Sequence, residues 1–156
     1  MKKNFWKTVL LSWLLVGSLD ILAAFANYYI KTGKDPIVVL KYIASAVFGP
    51  SAYSDGAYMS VYGLLFHFVV AFIWTLLFFL IYPKLKLFSI NRVLVAMLYG
   101  IVIWLVMNFA VVPLTKAGTG TFVLKDAIIS ALILVFAIGL PLSFIAHWFY
   151  SRATKS

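Results

Sequence analysis

The sequence predicts an all-α membrane protein: four transmembrane helices in one bundle, plus a short interfacial or re-entrant helix in the first outer loop. Three observations carry this expectation. The 156 residues are 65% hydrophobic and only 11% charged, whereas soluble domains run at roughly 45–50% apolar and about 25% charged. Four runs, Trp6–Ile30, Tyr58–Tyr82, Val93–Thr115 and Ala127–Tyr150, each reach the roughly 20 residues that a helix needs to cross about 30 Å of hydrocarbon. Finally, the lysines and arginines collect in the tails and the connections between those runs. Residues 1–156 are therefore read as a single transmembrane domain.

The first run begins like a secretory signal, with Lys2 and Lys3 ahead of it and a small-x-small triplet, Ala24-Phe25-Ala26, within it. It is too long for a signal's apolar core and is interrupted by Asp20, so it is expected to stay as an uncleaved first helix. In the loop that follows, Asp35 is a capping residue, Pro36 suits a first helical position and Gly49 suits the position past a helix end. The resulting helix, about 36–48, reaches only about 20 Å and cannot span. It carries one charge, Lys41, on an otherwise apolar surface, as a passive interfacial helix or a lid over an outward cavity would. The basic turn Pro83–Arg92 makes the second and third helices antiparallel neighbours. Ala117-Gly118-Thr119-Gly120-Thr121 has no periodicity and reads as flexible. Pro113 and Pro141 are expected to bend or end the third and fourth helices.

With four spans, the N-terminus, second loop and C-terminus share a side. That side holds Lys2, Lys3, Lys7, Lys84, Lys86, Arg92, Arg152 and Lys155, eight of the 13 basic residues. The other side holds Lys31, Lys34, Lys41, Lys116 and Lys125, together with Asp35, Asp55 and Asp126. Positive segments resist translocation, so both termini are expected in the cytoplasm. Aromatic belts match: Tyr28, Tyr29, Tyr53 and Tyr58 at the outer interface, and Trp6, Tyr82, Trp148 and Tyr150 at the inner one.

Two ionisable residues fall at membrane depth, where charge is costly and marks either a bundle contact or a functional path. Asp20 and His67 both lie about 15 Å below the outer boundary at 1.5 Å per residue, so they are placed to meet. Asn108 on the third helix lies about 4 Å nearer the outside and is grouped with them as a candidate intramembrane polar cluster. Gly17, Asp20, Ala24 and Asn27 form a small and polar stripe expected to pack, and Gly100, Trp104 and Asn108 share a face of the third helix. His147 belongs near the inner end of the fourth helix, far from His67.

The formal charge of +9 does not point to nucleic acid, because no basic face exists outside the loops. Without cysteine or glutamate, and with its two histidines at opposite depths, the chain has no recognisable metal site. Neither a Gly-rich phosphate loop nor a catalytic triad is visible, so no cofactor, metal or catalytic residue is assigned and an enzyme is not expected.

Ser18-Leu19-Asp20, Tyr42-Ile43-Ala44-Ser45, Gly63-Leu64-Leu65-Phe66-His67-Phe68 and Met107-Asn108-Phe109-Ala110-Val111-Val112-Pro113-Leu114 resemble stretches of a family of small bacterial four-helix inner-membrane proteins. More distantly, the chain resembles the YagU-type membrane proteins, most clearly from the second helix through Pro83-Lys84-Leu85-Lys86-Leu87 into the third. Relative to the YagU type, a long insertion between the first two helices is lacking. The resemblance implies a bacterial inner membrane and four helices, and no activity. Three functions stay open: a structural or regulatory membrane component acting through a second copy or another membrane protein, with the cluster as glue; a proton or small-ion conductor or coupled carrier using Asp20, His67 and Asn108; and, weakest, a lipid-modifying enzyme.

Overall fold

A computed structural model describes residues 4–118 and 123–153. Lys2, Lys3, Lys155 and the 119–121 part of the flexible connection lie outside the described residues. Four helices are long and apolar enough to cross a membrane: Phe5–Thr32, Tyr58–Lys84, Arg92–Leu114 and Leu124–Ser151. In the order α1 (Phe5–Thr32), α2 (Val38–Phe48), α3 (Ser51–Ser54), α4 (Tyr58–Lys84), α5 (Arg92–Val106), α6 (Leu124–Leu134) and α7 (Leu140–Ala153), α6 and α7 are two halves of the fourth span. No strand occurs among the described residues.

The spans expose large apolar side chains around their circumference, for example Leu22 at 61%, Val61 at 69% and Phe136 at 63%. Such a surface is stable only in an apolar solvent, and the four helices fit a multi-pass integral membrane protein. At the end carrying the termini, an aromatic core closes the bundle. Phe78, Phe79 and Tyr82 are fully buried, Phe78 meets Tyr99 at 4.5 Å, and Tyr82 stacks on Tyr150 at 5.7 Å. Tyr82, expected as an interface anchor, instead fills the bundle interior, whereas Tyr150 is half-buried against it. Trp6 and Trp148 remain exposed there.

The short helix α2 ends where expected, at Phe48, and begins at Val38, two residues past the expected start. The Asp35 carboxylate accepts from the Ile37 N–H at 3.0 Å, and Gly49 takes φ 75° past the last turn, a conformation open to glycine. It folds back onto α4 at Gly63, where a Cβ would stand 1.9 Å from the Leu40 carbonyl oxygen. Its other end is held by the Lys116 N–H, which donates to the Ala46 carbonyl at 3.0 Å.

The third span packs its backbone against the fourth, not against the second as the short connection suggested. A Cβ on Gly100 would come 2.7 Å from the Val135 backbone, and one on Gly139 would come 2.3 Å from the Ala96 carbonyl oxygen. The small-xxx-small pair Ala96 and Gly100 on one span and Gly139 on the other therefore seat these spans backbone to backbone. α5 reaches α4 through side chains instead, with the Tyr99 hydroxyl donating to the Trp74 carbonyl at 2.6 Å.

Both prolines reshape their spans in the same way. The widened π-turns Met107–Val111 and Val135–Gly139 each begin six residues before a proline, Pro113 and Pro141. Proline lacks an N–H and its ring crowds the carbonyl four residues back, here that of Phe109 or Ala137, and each of these lies inside a π-turn. Wider turns relieve the crowding.

Because Gly63 touches backbone, Gly63→Ala is expected to lose about 1–3 kcal/mol, the overpacking range. Thermal unfolding in detergent checks this, with Gly33→Ala, in open space on the far loop, as a comparison for backbone strain alone.

Candidate functional site

The site is built where α1 and α4 come close. Gly17 permits the approach: a Cβ there would stand 2.8 Å from the Phe68 ring. At this distance His67 Nε2 donates to the Gly17 carbonyl at 2.8 Å, and one turn away Trp13 Nε1 donates to the Phe68 carbonyl at 2.7 Å. Two reciprocal bonds thus join the helices, each from a ring N–H into the other's backbone.

The Gly17 contact also sets the chemistry of His67. A carbonyl only accepts, so Nε2 carries the proton and the neutral ring keeps its lone pair on Nδ1. Asp20, three residues beyond Gly17, shares that face of α1. Asp20 and His67 line one cavity of about 190 Å³ with Ile43 of α2, Trp74 of α4, Met107 and Ile138. Met107 and Ile138 belong to the two π-turns, so the proline-induced widening contributes directly to the wall. Apart from the carboxyl, the imidazole and the indole, the named lining is apolar.

Asp20 and His67 therefore share a cavity, but they are not bonded to each other: no ion pair within 4.0 Å joins them, and the carboxylate takes no hydrogen bond from any described residue. An ionised carboxylate can only accept, and the helix carbonyls that satisfy His67 and Trp13 offer it nothing. A protonated Asp20 has a donor to give, and His67 Nδ1 is the group on the same wall able to receive it.

Asn108 is not part of the site. It is exposed, and its Nδ2 donates to the Trp104 carbonyl of its own helix at 2.9 Å. The π-turn starting at Met107 carries the chain round in wider steps, so the regular helical spacing that grouped Asn108 with Gly100 and Trp104 fails there. Gly100 and Trp104 face the fourth span instead, where Trp104 Nε1 donates to Ser130 Oγ at 2.7 Å. Sequence reasoning also missed Trp74, Met107 and Ile138 as lining. Only the two prolines signalled the turns that bring Met107 and Ile138 there.

No family, curated protein or solved structure matches this chain. Among the described residues no group of three metal-ligating side chains occurs either. What the arrangement offers chemically is an acid and a base facing a small, largely apolar space.

Stability separates the two residues. His67→Leu removes a bond between helices and is expected to cost about 1 kcal/mol, whereas Asp20→Asn removes no protein hydrogen bond and should unfold at or above the parent's temperature. Thermal unfolding in detergent measures both. If Asp20→Asn unfolds earlier than His67→Leu, the carboxylate is structural glue.

Proposed function

We propose that the protein carries protons within the membrane, with Asp20 as proton acceptor and His67 as the relay beside it. The observation that supports this reading is the Asp20 carboxyl, which takes no hydrogen bond among the described residues, at a cavity shared with His67. Ionisable residues are retained at such depth when they pair or lie on an ion or proton path. Pairing is supplied here by other groups, His67 to Gly17 and Trp13 to Phe68, which weighs against a purely structural Asp20.

A proton suits the cavity better than an alkali cation. A dehydrated alkali ion requires a shell of several oxygens, whereas the polar lining consists of one carboxylate, one imidazole and one indole. Proton transfer needs only a donor and an acceptor, and the space of about 190 Å³ has room for a few waters at ~30 Å³ each to connect them. On this reading the protein is no enzyme. It sits in a bacterial inner membrane with both termini in the cytoplasm, as eight basic residues on that side suggest. The buried aromatic core then faces the cytoplasm, and α2, through Ile43, covers the cavity from outside.

Proteoliposomes with a trapped pH dye and an imposed potassium diffusion potential test the proposal. Parent protein is expected to acidify the lumen, and Asp20→Asn and His67→Gln to reduce the rate at least about tenfold while remaining folded and monodisperse. Absence of flux from the parent, or equal flux from folded variants, contradicts the reading.

A further inference from the structure

A second site lies at the opposite end of the bundle and is independent of the Asp20–His67 pair. Where the connection after α4 enters α5, a cleft of about 560 Å³ is lined by Ser89, Ile90, Asn91, Arg92, Val93, Phe144 and His147. Its cationic side chain is held in place. The Arg92 guanidinium lies over the Phe144 ring, 5.3 Å from its centroid, a cation–π contact. The start of α5 is fixed as well: Asn91 caps the Val93 N–H at 2.8 Å, and Ser143 of α7 donates to the Arg92 carbonyl at 2.8 Å. His147 supplies a further donor. Its Nδ1 lies 3.4 Å from the Tyr82 hydroxyl, and in the tautomer whose Nδ1 accepts from that hydroxyl the ring proton sits on Nε2.

Among the described residues no carboxylate lines the cleft. The chain's four acidic residues are Asp20 at mid-membrane and Asp35, Asp55 and Asp126 near the other end. Fixed guanidinium and imidazole donors without a nearby anion are the setting that binds phosphate oxygens. The apolar part of the lining narrows the ligand. Ile90, Val93 and Phe144 are 38%, 48% and 46% exposed beside Arg92, at the level where the spans end. A water-soluble anion gains nothing from them, whereas a phospholipid places its phosphodiester at headgroup depth and the upper part of its acyl chains directly against such side chains.

We propose that this cleft binds the phosphodiester headgroup of an anionic phospholipid, with Arg92 and His147 on the phosphate and Ile90, Val93 and Phe144 along the adjoining acyl chains. Arg92 is the residue on which headgroup selection depends.

Native mass spectrometry of the full chain in mild detergent tests this, with dioleoylphosphatidylglycerol, dioleoylphosphatidylcholine and inorganic phosphate as probes. Phosphatidylglycerol is expected to remain bound at least about fivefold more than phosphatidylcholine, with phosphate alone not retained. Arg92→Gln should lower phosphatidylglycerol binding by about fivefold, while Lys84→Gln, outside the cleft, leaves it unchanged. His147→Phe provides the same test should Arg92→Gln fail to fold. Equal retention of the two lipids, retention of phosphate alone, unchanged binding in the folded cleft variants, or the same loss in Lys84→Gln each overturns the proposal.

Discussion

At the depth of a hydrocarbon layer no water satisfies a polar group, and the acceptors that every helix offers there are its own carbonyls, each with a lone pair to spare. The bundle is cross-linked through them. His67 donates to Gly17, Trp13 to Phe68, Tyr99 to Trp74, Tyr150 to Phe79 and Ser143 to Arg92, all between 2.6 and 2.8 Å. Each link needs a donor on one helix and only backbone on the other. The Ser12 and Ser60 hydroxyls are buried without a hydrogen-bond partner among the described residues. An ionised Asp20 cannot join this scheme at all, because it donates nothing. The same constraint that fastens the helices therefore leaves the carboxyl outside the set of cross-links, at the cavity it shares with His67.

Close approach makes the scheme possible, since a side-chain donor reaches a neighbouring backbone only where side chains between them are small. Gly17 does this for α1 and α4, Gly63 for α2 and α4, and Gly100 with Gly139 for the third and fourth spans. Where close contact stops, large aromatics take over, as they do between Trp74, Phe78 and Tyr99. The cavity sits at the change between these two kinds of packing. Two π-turns each contribute a residue to its wall, Met107 and Ile138. Prolines Pro113 and Pro141 thereby shape the site without lying in it.

Much of this was legible in the sequence. Helix length and apolarity located all four spans to within three residues at either end, because span length is set by bilayer thickness and not by tertiary detail. Depth counting brought Asp20 and His67 to one cavity, since a regular rise of 1.5 Å holds along α1 and α4. It failed for Asn108, where a π-turn breaks the regularity that counting assumes. It also could not foresee that Tyr82 and Tyr150 turn inward, since an aromatic residue near a span end satisfies its hydroxyl equally well at the interface or on a buried carbonyl, here that of Phe79 for Tyr150. Nor does a short connection reveal that α5 lies closest to the fourth span: that depends on which faces carry glycine. Exposed Lys31 and Asp126, by contrast, pair across the far end of the bundle, consistent with the loop assignments and of little energetic weight.

Whether a proton resides on Asp20 and is felt by His67 decides the account. Infrared difference spectroscopy of the reconstituted protein reads this directly, because a protonated carboxylic acid has a carbonyl band distinct from that of a carboxylate, and the chain holds four aspartates and no glutamate. As the pH is lowered, an acid band is expected that shifts in deuterium oxide, disappears in Asp20→Asn and moves in His67→Gln. An acid band absent from the parent, or one unaffected by both substitutions, would contradict the account.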